Sequence, residues 1–260
     1  MVFIDALGQQ HRAVDTALSA PRIVCLVPSI TELLCDLGLA QWLVGRTGFC
    51  IHPAQTVKAI AKIGGTKDVN VEKIRRLAPT HLIVNIDENE KPTVDILAEF
   101  IPHVIVTHPL TPLDNLALYR LLGGIFGAEA RAQQLCEAFE HALEQLPATG
   151  EMTNVLYCIW KDPWMTVSAD TYISHMLSLK GWKSWVSPDS AQRYPTFEWS
   201  DALLQQIDLV LLSSEPYRFT DDDAQALQRQ LGKPVRLVDG EMLSWYGSRA
   251  IAGLDYLRCF

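Results

Sequence analysis

The sequence lacks three features that would each have assigned the protein to a class. It has no run of about 18 apolar residues, so no segment is predicted to span a membrane. It is not basic, because the formal net charge is -8 and the pI is about 5.3, and a nucleic-acid partner is therefore disfavoured. Residues 1–20 contain neither a basic n-region nor an apolar h-region and do not predict a signal peptide. We expect a cytoplasmic protein, with a periplasmic location as the alternative if a leader has been removed.

The motifs of common catalytic and metal sites are also missing. There is no GxSxG, HExxH or CxxC, and the pair Gly64-Gly65 is not a phosphate loop. Cys50 and His52 share one loop and are weak metal candidates, but a lone Cys/His pair rarely fixes a structural metal. We therefore expect no catalytic residue and no intrinsic cofactor. The alternative is a metal-assisted enzyme that uses Cys50, His52 and nearby carboxylates.

The six cysteines show no metal-binding or redox spacing. Cys25, Cys136 and Cys158 fall within apolar strand or helix patterns. In a chain long enough to bury a large core, such cysteines are interpreted as reduced thiols that act as small apolar residues.

One long amphipathic helix is predicted at residues 128–146. The segment has no proline and no internal glycine, and its apolar residues recur at steps of three and four, which gives one apolar stripe. An α/β pattern lies on either side of it. We therefore predict an N-terminal α/β lobe at residues 1–127, an interlobe helix at 128–147 and a C-terminal α/β lobe at 148–260.

Alternating strand and helix patterns in both halves predict mostly parallel sheets. The principal predicted strands are residues 22–27, 81–85, 103–107, 154–159, 208–212 and 234–238. Ser29-x-x-Glu32 predicts a capping box at the start of the first helix. A later helix, at residues 114–126, is predicted to be broken by Gly123, Gly124 and Gly127. The predicted fold class is α/β, with two lobes of mostly parallel sheets joined by a single long α-helix.

Aromatic residues are concentrated in loops that follow predicted strands of the second half. Trp160 and Trp164 enclose the polar loop WKDPW, and Trp245 and Tyr246 lie in SWYGSR. Ligands of open parallel sheets bind beyond the carboxyl ends of the strands. Flat rings there suit a large planar ligand with polar edges. The alternative is that these rings pack into the core.

Several motifs resemble the class III substrate-binding proteins of ABC importers, the cobalamin- and siderophore-binding family. Within that family the chain looks most like the helical backbone metal receptor or cobalamin-binding-like subset. The matching motifs are VPSITEL, GRTGFCIHP, GGTKDVNVEKI, NIDENEK, WKDPWMTVSADTYI, RYPTFEW, SSEPYRF and VDGEMLSWYGSR. The resemblance implies two α/β lobes joined by one long helix. It also implies a metal chelate in the cleft between the lobes, which is handed to an ABC importer permease.

Carried across motif by motif, the resemblance implies ligand-binding residues in both lobes. Those of the first lobe are Pro28, Ser29, Phe49, Cys50, His52, Asn85 and Glu88. Those of the second lobe are Trp160, Trp164, Tyr194, Glu215, Tyr217, Trp245, Tyr246 and Arg249. The implied function is non-enzymatic binding of a corrinoid-like or siderophore-like chelate. The alternative is a cytosolic carrier or sensor that uses the same cleft without an ABC partner.

Overall fold

The computed structural model describes residues 1–148, 150–188 and 191–260, and it confirms the predicted α/β fold with parallel sheets. The chain divides into two compact units. The first comprises Met1–Pro109, Leu113–Glu140 and Tyr246–Arg249, and the second comprises Leu110–Pro112, His141–Trp245 and Ala250–Phe260. The predicted bounds of the lobes and of the interlobe helix stay predictions.

The first unit contains an antiparallel hairpin and a five-stranded parallel sheet. The hairpin strands are β1 (Val2–Ile4) and β2 (Gln10–Arg12). The sheet strands are β3 (Ile23–Cys25), β4 (Leu43–Arg46), β5 (Ala61–Lys62), β6 (His81–Asn85) and β7 (His103–Thr107). They lie in the order β5-β4-β3-β6-β7, so β7 is an edge strand. The hairpin was not predicted, because two three-residue strands are too short to show a recognisable apolar periodicity.

The hairpin segment is joined to the edge strand β7 through one residue. The Val106 N–H donates to the Asp5 carboxylate at 3.1 Å, and the Val106 carbonyl accepts from the Ala6 N–H at 3.0 Å. Asp5 also accepts hydrogen bonds from the Leu7 N–H and from the ring of His11. The N-terminal segment therefore covers backbone groups that an edge strand would otherwise expose.

Helices cover the first sheet. They are α1 (Pro28–Asp36), α2 (Ala54–Val57), α3 (Val71–Arg76), α4 (Lys91–Ala98) and α5 (Asp114–Ile125), with a 3-10 turn at Ala40–Trp42. A buried core including Val24, Leu82 and Ile74 lies between the sheet and these helices.

Two predictions about these helices are wrong. The Ser29-x-x-Glu32 capping box does not form, since Pro28 occupies the first turn of α1 and Val27 caps it without a side-chain hydrogen bond. Gly123 and Gly124 do not break α5. They are sites of close packing, because a Cβ on Gly124 would lie 2.1 Å from the ring of Phe3.

The long predicted helix is confirmed as α6 (Glu129–Glu144). Its predicted apolar stripe is buried, with the Cys136 and Phe139 side chains at 0% exposure. Cys25, Cys50 and Cys158 are buried too, and all six cysteines are free thiols, as expected for cysteines used as small apolar residues.

The second unit contains a four-stranded parallel sheet. Its strands are β8 (Thr153–Cys158), β9 (Trp182–Ser184), β10 (Leu209–Ser213) and β11 (Val235–Val238), in the order β11-β10-β8-β9. Its helices are α7 (Tyr172–Ser178), α8 (Asp201–Leu204), α9 (Asp221–Leu231) and α10 (Gly240–Ser244), followed by α11 (Arg249–Arg258), which begins in the first unit. The core includes Leu156, Val210 and Phe197.

Candidate functional site

The parallel sheets bring the candidate residues of each unit to one edge. In the first unit, Pro28 and Ser29 follow β3, Cys50 follows β4, and Asn85 ends β6. In the second unit, Trp160 follows β8, and Glu215 and Tyr217 follow β10. Because the carboxyl ends of parallel strands share an edge of their sheet, each set of loops forms a continuous rim.

Cys50 is held as a neutral thiol inside the first unit. Its side chain is fully buried, and its sulfur lies 3.1 Å from Thr31 Oγ1 and 3.2 Å from Thr47 Oγ1. Burial raises the pKa of the Cys50 thiol. A reactive or metal-binding cysteine requires an accessible thiolate, so these surroundings are those of a structural thiol. Its loop neighbours are more accessible to solvent, since Phe49 is 63% exposed and His52 is half-buried.

Asn85 shapes the turn beyond β6. Its buried side-chain oxygen accepts the Asp87 N–H at 2.8 Å, and its own N–H donates to Asn89 Oδ1 at 2.9 Å. Asn89 also donates to the Thr66 carbonyl at 3.0 Å, which joins this turn to the neighbouring loop. Sequence reasoning missed Asn89, although an Asn-x-x-x-Asn pair after a strand is a usable sign of such a turn.

Tyr246 and Glu88 form a hydrogen-bonded pair. Tyr246 is buried, and its hydroxyl donates to the Glu88 carboxylate. Burial raises the pKa of Tyr246, and the negative charge of Glu88 raises it further. Both residues belong to the first unit. The predicted role of Tyr246 in ligand binding stays a prediction.

Arg249 also lies in the first unit. Its guanidinium donates two hydrogen bonds to the Glu32 carboxylate of α1, at 2.7 and 2.6 Å, in the bidentate geometry that suits this pair. The side chains of Arg249 and Glu32 are only 12% and 14% exposed. The preceding Gly247 donates its N–H to Asn115 Oδ1 at 2.6 Å. The segment Tyr246–Arg249 is thus built into the first unit, and no sequence pattern linked Arg249 to Glu32.

Trp160 and Tyr217 form the exposed aromatic pair of the second unit. Their ring centroids are 5.4 Å apart at an interplanar angle of 78°, and Trp160 is 39% exposed. Lys161 lies 5.2 Å from the centroid of the Tyr217 ring and 2.6 Å from Asp223 Oδ1. Asp223 in turn completes the capping box of α9 with Thr220. Neither Lys161 nor Asp223 was predicted to support the site.

Trp164, from the same loop, packs differently. Its ring stacks on Phe219 at a centroid distance of 5.8 Å, and it meets Trp199 edge to face at 5.3 Å. It lies against the buried core of the second unit. Of the two alternatives for Trp164, the structure favours packing. Tyr194, in a separate loop, exposes 39% of its surface.

Glu215 is a half-buried carboxylate that holds Trp245. Its Oε1 atom accepts the Trp245 ring N–H at 2.7 Å and the Ser244 hydroxyl at 3.0 Å. Burial raises the pKa of Glu215, and the two hydrogen bonds partly offset this because they stabilise the charged form. The nearby negative charges of Glu241 and Asp239 raise the pKa as well. Trp245 is only 9% exposed, so most of its ring is already covered.

The described residues contain no group of three or more His, Cys, Asp or Glu side chains placed to hold a metal ion. No helix among the described residues has the length and hydropathy needed to cross a membrane.

Known proteins resemble this chain in sequence and in fold. An uncharacterized ABC transporter substrate-binding lipoprotein of Bacillus subtilis is 27% identical over 169 residues, which are 61% of this chain and 53% of that protein. The chain thus spans about half the length of that relative. A vitamin B12-binding protein of Photorhabdus laumondii is 24% identical over 198 residues, which are 74% of this chain and 70% of that protein.

Among solved structures, the periplasmic vitamin B12-binding protein of Vibrio cholerae matches with a TM-score of 0.77 and 20% identity, over 92% of this chain and 96% of that one. The periplasmic heme-binding protein of the same species matches with a TM-score of 0.74 and 20% identity, over 93% and 98%. These likenesses establish the fold. The sequence pattern of the periplasmic binding protein family matches residues 23–232, more than half of the chain, and the chain therefore belongs to that family.

Proposed function

We propose that this protein is a non-enzymatic binding protein that holds a metal chelate at its strand-end loops and delivers it to an ABC importer permease. The ligand class is corrinoid-like first and siderophore-like second. The metal arrives within the chelate, so the protein needs no intrinsic cofactor.

The observation that carries the proposal is the exposed ring of Trp160 at the carboxyl end of β8, supported edge-on by Tyr217 from the end of β10. A ring with a fixed orientation and a free apolar face stacks on a planar ligand at little cost in conformational entropy. Phe49 in the first unit and Tyr194 in the second are further exposed rings. The names of the relatives, vitamin B12-binding and heme-binding, agree with a planar chelate.

The chemistry at Cys50 supports binding over catalysis. The buried, protonated Cys50 thiol is a poor nucleophile and a poor metal ligand. The relatives named above are themselves binding proteins, described as periplasmic or as a lipoprotein. Those names favour the periplasmic alternative and a permease partner over a cytosolic carrier.

The test is a tryptophan-fluorescence titration with cobalamin, cobinamide, haem and two ferric siderophores. We expect saturable quenching by one class of ligand. Trp160→Ala should weaken its affinity by about 1–3 kcal/mol, as for an aromatic anchor. The matched control is Trp182→Phe, since Trp182 is buried at the start of β9 and packs on Phe260. Absence of quenching across the panel, or an unchanged affinity in Trp160→Ala, would contradict the proposal.

A further inference from the structure

The cation nearest the exposed aromatic pair is already neutralised. Lys161 follows Trp160 directly, and its ammonium lies 2.6 Å from Asp223 Oδ1, with only about a quarter of either side chain exposed. The other Asp223 oxygen, Oδ2, accepts the Thr220 hydrogen bonds that cap α9, so the carboxylate is fixed in place. An arriving anion would have to compete with this carboxylate for Lys161.

Another cation of these second-unit loops, Arg218, lies next to Tyr217 and is exposed to water, where its charge is screened.

Carboxylates at the same strand ends add negative charge. Glu215 lies half-buried at the end of β10 with Asp239 and Glu241 close by. The chain as a whole carries a net charge of -8, so its long-range field also opposes the approach of anions.

We infer that the strand-end loops of the second unit select chelates of zero or positive charge and reject chelates of the same shape that carry carboxylates. This inference rests on the proposed function and specifies the class of ligand. It is carried by the pairing of Lys161 with the fixed Asp223 carboxylate and by the half-buried carboxylate of Glu215.

The test uses probe pairs that share a shape and differ in charge. They are cyanocobalamin against its monocarboxylic acid, haem dimethyl ester against haem, and a ferric trihydroxamate with a terminal ammonium against its succinylated form. Affinities are measured by fluorescence titration at low and high salt. At low salt, we expect the uncharged or cationic member of each pair to bind at least about fivefold more tightly than the carboxylate member. At high salt, this ratio of affinities should be smaller.

Two variants assign the preference to named residues. Asp223→Asn frees Lys161 from its partner, and Glu215→Gln removes a negative charge. Each variant should therefore strengthen binding of the carboxylate probe and reduce the ratio of affinities within a probe pair. The control is Asp255→Asn, which frees Arg258 on the surface of α11 and should leave the ratio unchanged.

The outcomes separate the two proposals. Equal or tighter binding of the carboxylate member of any pair that binds would overturn the inference and leave the proposed function standing. A ratio that neither Asp223→Asn nor Glu215→Gln changes would overturn the assignment to these residues. Failure of all six probes to bind the folded protein would overturn the proposed function and this inference together.

Discussion

His81 is expected to make the first unit sensitive to acid. It begins β6, is 7% exposed, and stacks on His103 with ring centroids 4.7 Å apart. Its Nδ1 lies 2.8 Å from Thr80 Oγ1. Burial, together with the positive charges that His103 and His11 can carry, lowers the pKa of His81 to about 4. His81 is therefore neutral in the folded protein at pH 7.

The sign and size of the effect follow from linkage. An unfolded histidine has a pKa of about 6.5, so between pH 6.5 and 4 the unfolded chain takes up a proton that the folded protein refuses. The stabilisation by neutral His81 is thus complete above pH 6.5 and is lost as the pH falls toward 4. At about 1.4 kcal/mol per pH unit, the loss approaches ~3 kcal/mol.

His81→Phe tests this reasoning, because it keeps an aromatic ring in the stack and removes the titration. We expect the variant to be about 1 kcal/mol less stable at pH 7, since the contact with Thr80 is lost. Between pH 7 and 4, however, its free energy of unfolding should fall by up to ~3 kcal/mol less than that of the wild type.

The assay is urea unfolding followed by circular dichroism at pH 7, 6, 5 and 4. The control is His141→Gln, which changes an exposed histidine on α6 and should leave the pH dependence unaltered. Parallel curves of unfolding free energy against pH for wild type and His81→Phe would refute the reasoning.

Three further predictions concern other buried groups. Glu32→Gln leaves Arg249 without its charged partner, so it should destabilise the protein by about 2–4 kcal/mol in urea unfolding; a loss below 1 kcal/mol would mean that water already screens the pair. Gly124→Ala places a methyl group against the ring of Phe3 and should cost about 1–3 kcal/mol in the same assay, and a double variant with Phe3→Ala should recover part of that loss. Because burial raises its pKa, Cys50 should react with iodoacetamide at pH 8 far more slowly than the exposed cysteine near the C-terminus, as peptide mass mapping would report; equal rates would contradict the assigned burial.

The fold was predicted well where the sequence pattern is long and regular. The fully buried strand β6 and the stripe of α6 follow from apolar runs and from the 3.6-residue period. The start of α1 was predicted for the wrong reason, because the helix begins at Pro28 and Ser29 therefore lies inside its first turn rather than at the N-cap. The two-residue strand β5 is too short for any period to reveal it.

The site was predicted less well because its contacts join distant parts of the chain. Arg249 binds Glu32 across 217 positions, a separation that no local pattern reports. Trp160 and Trp164 stand four residues apart in one loop, yet the first is exposed and the second packs against the core. Composition identifies such a loop as aromatic but does not distinguish its two rings.

The cover that Asp5 and Ala6 provide for β7 bears on how the protein can be trimmed. The match to the family begins at residue 23, so the whole N-terminal hairpin lies outside it. A fragment that begins at residue 23 and keeps the C-terminus would retain every strand of the five-stranded sheet and yet uncover the Val106 amide and carbonyl on its outer edge. An open edge of this kind can pair with the same edge of a second molecule. Such a fragment would therefore self-associate as its concentration rises, although every strand of the sheet is still present.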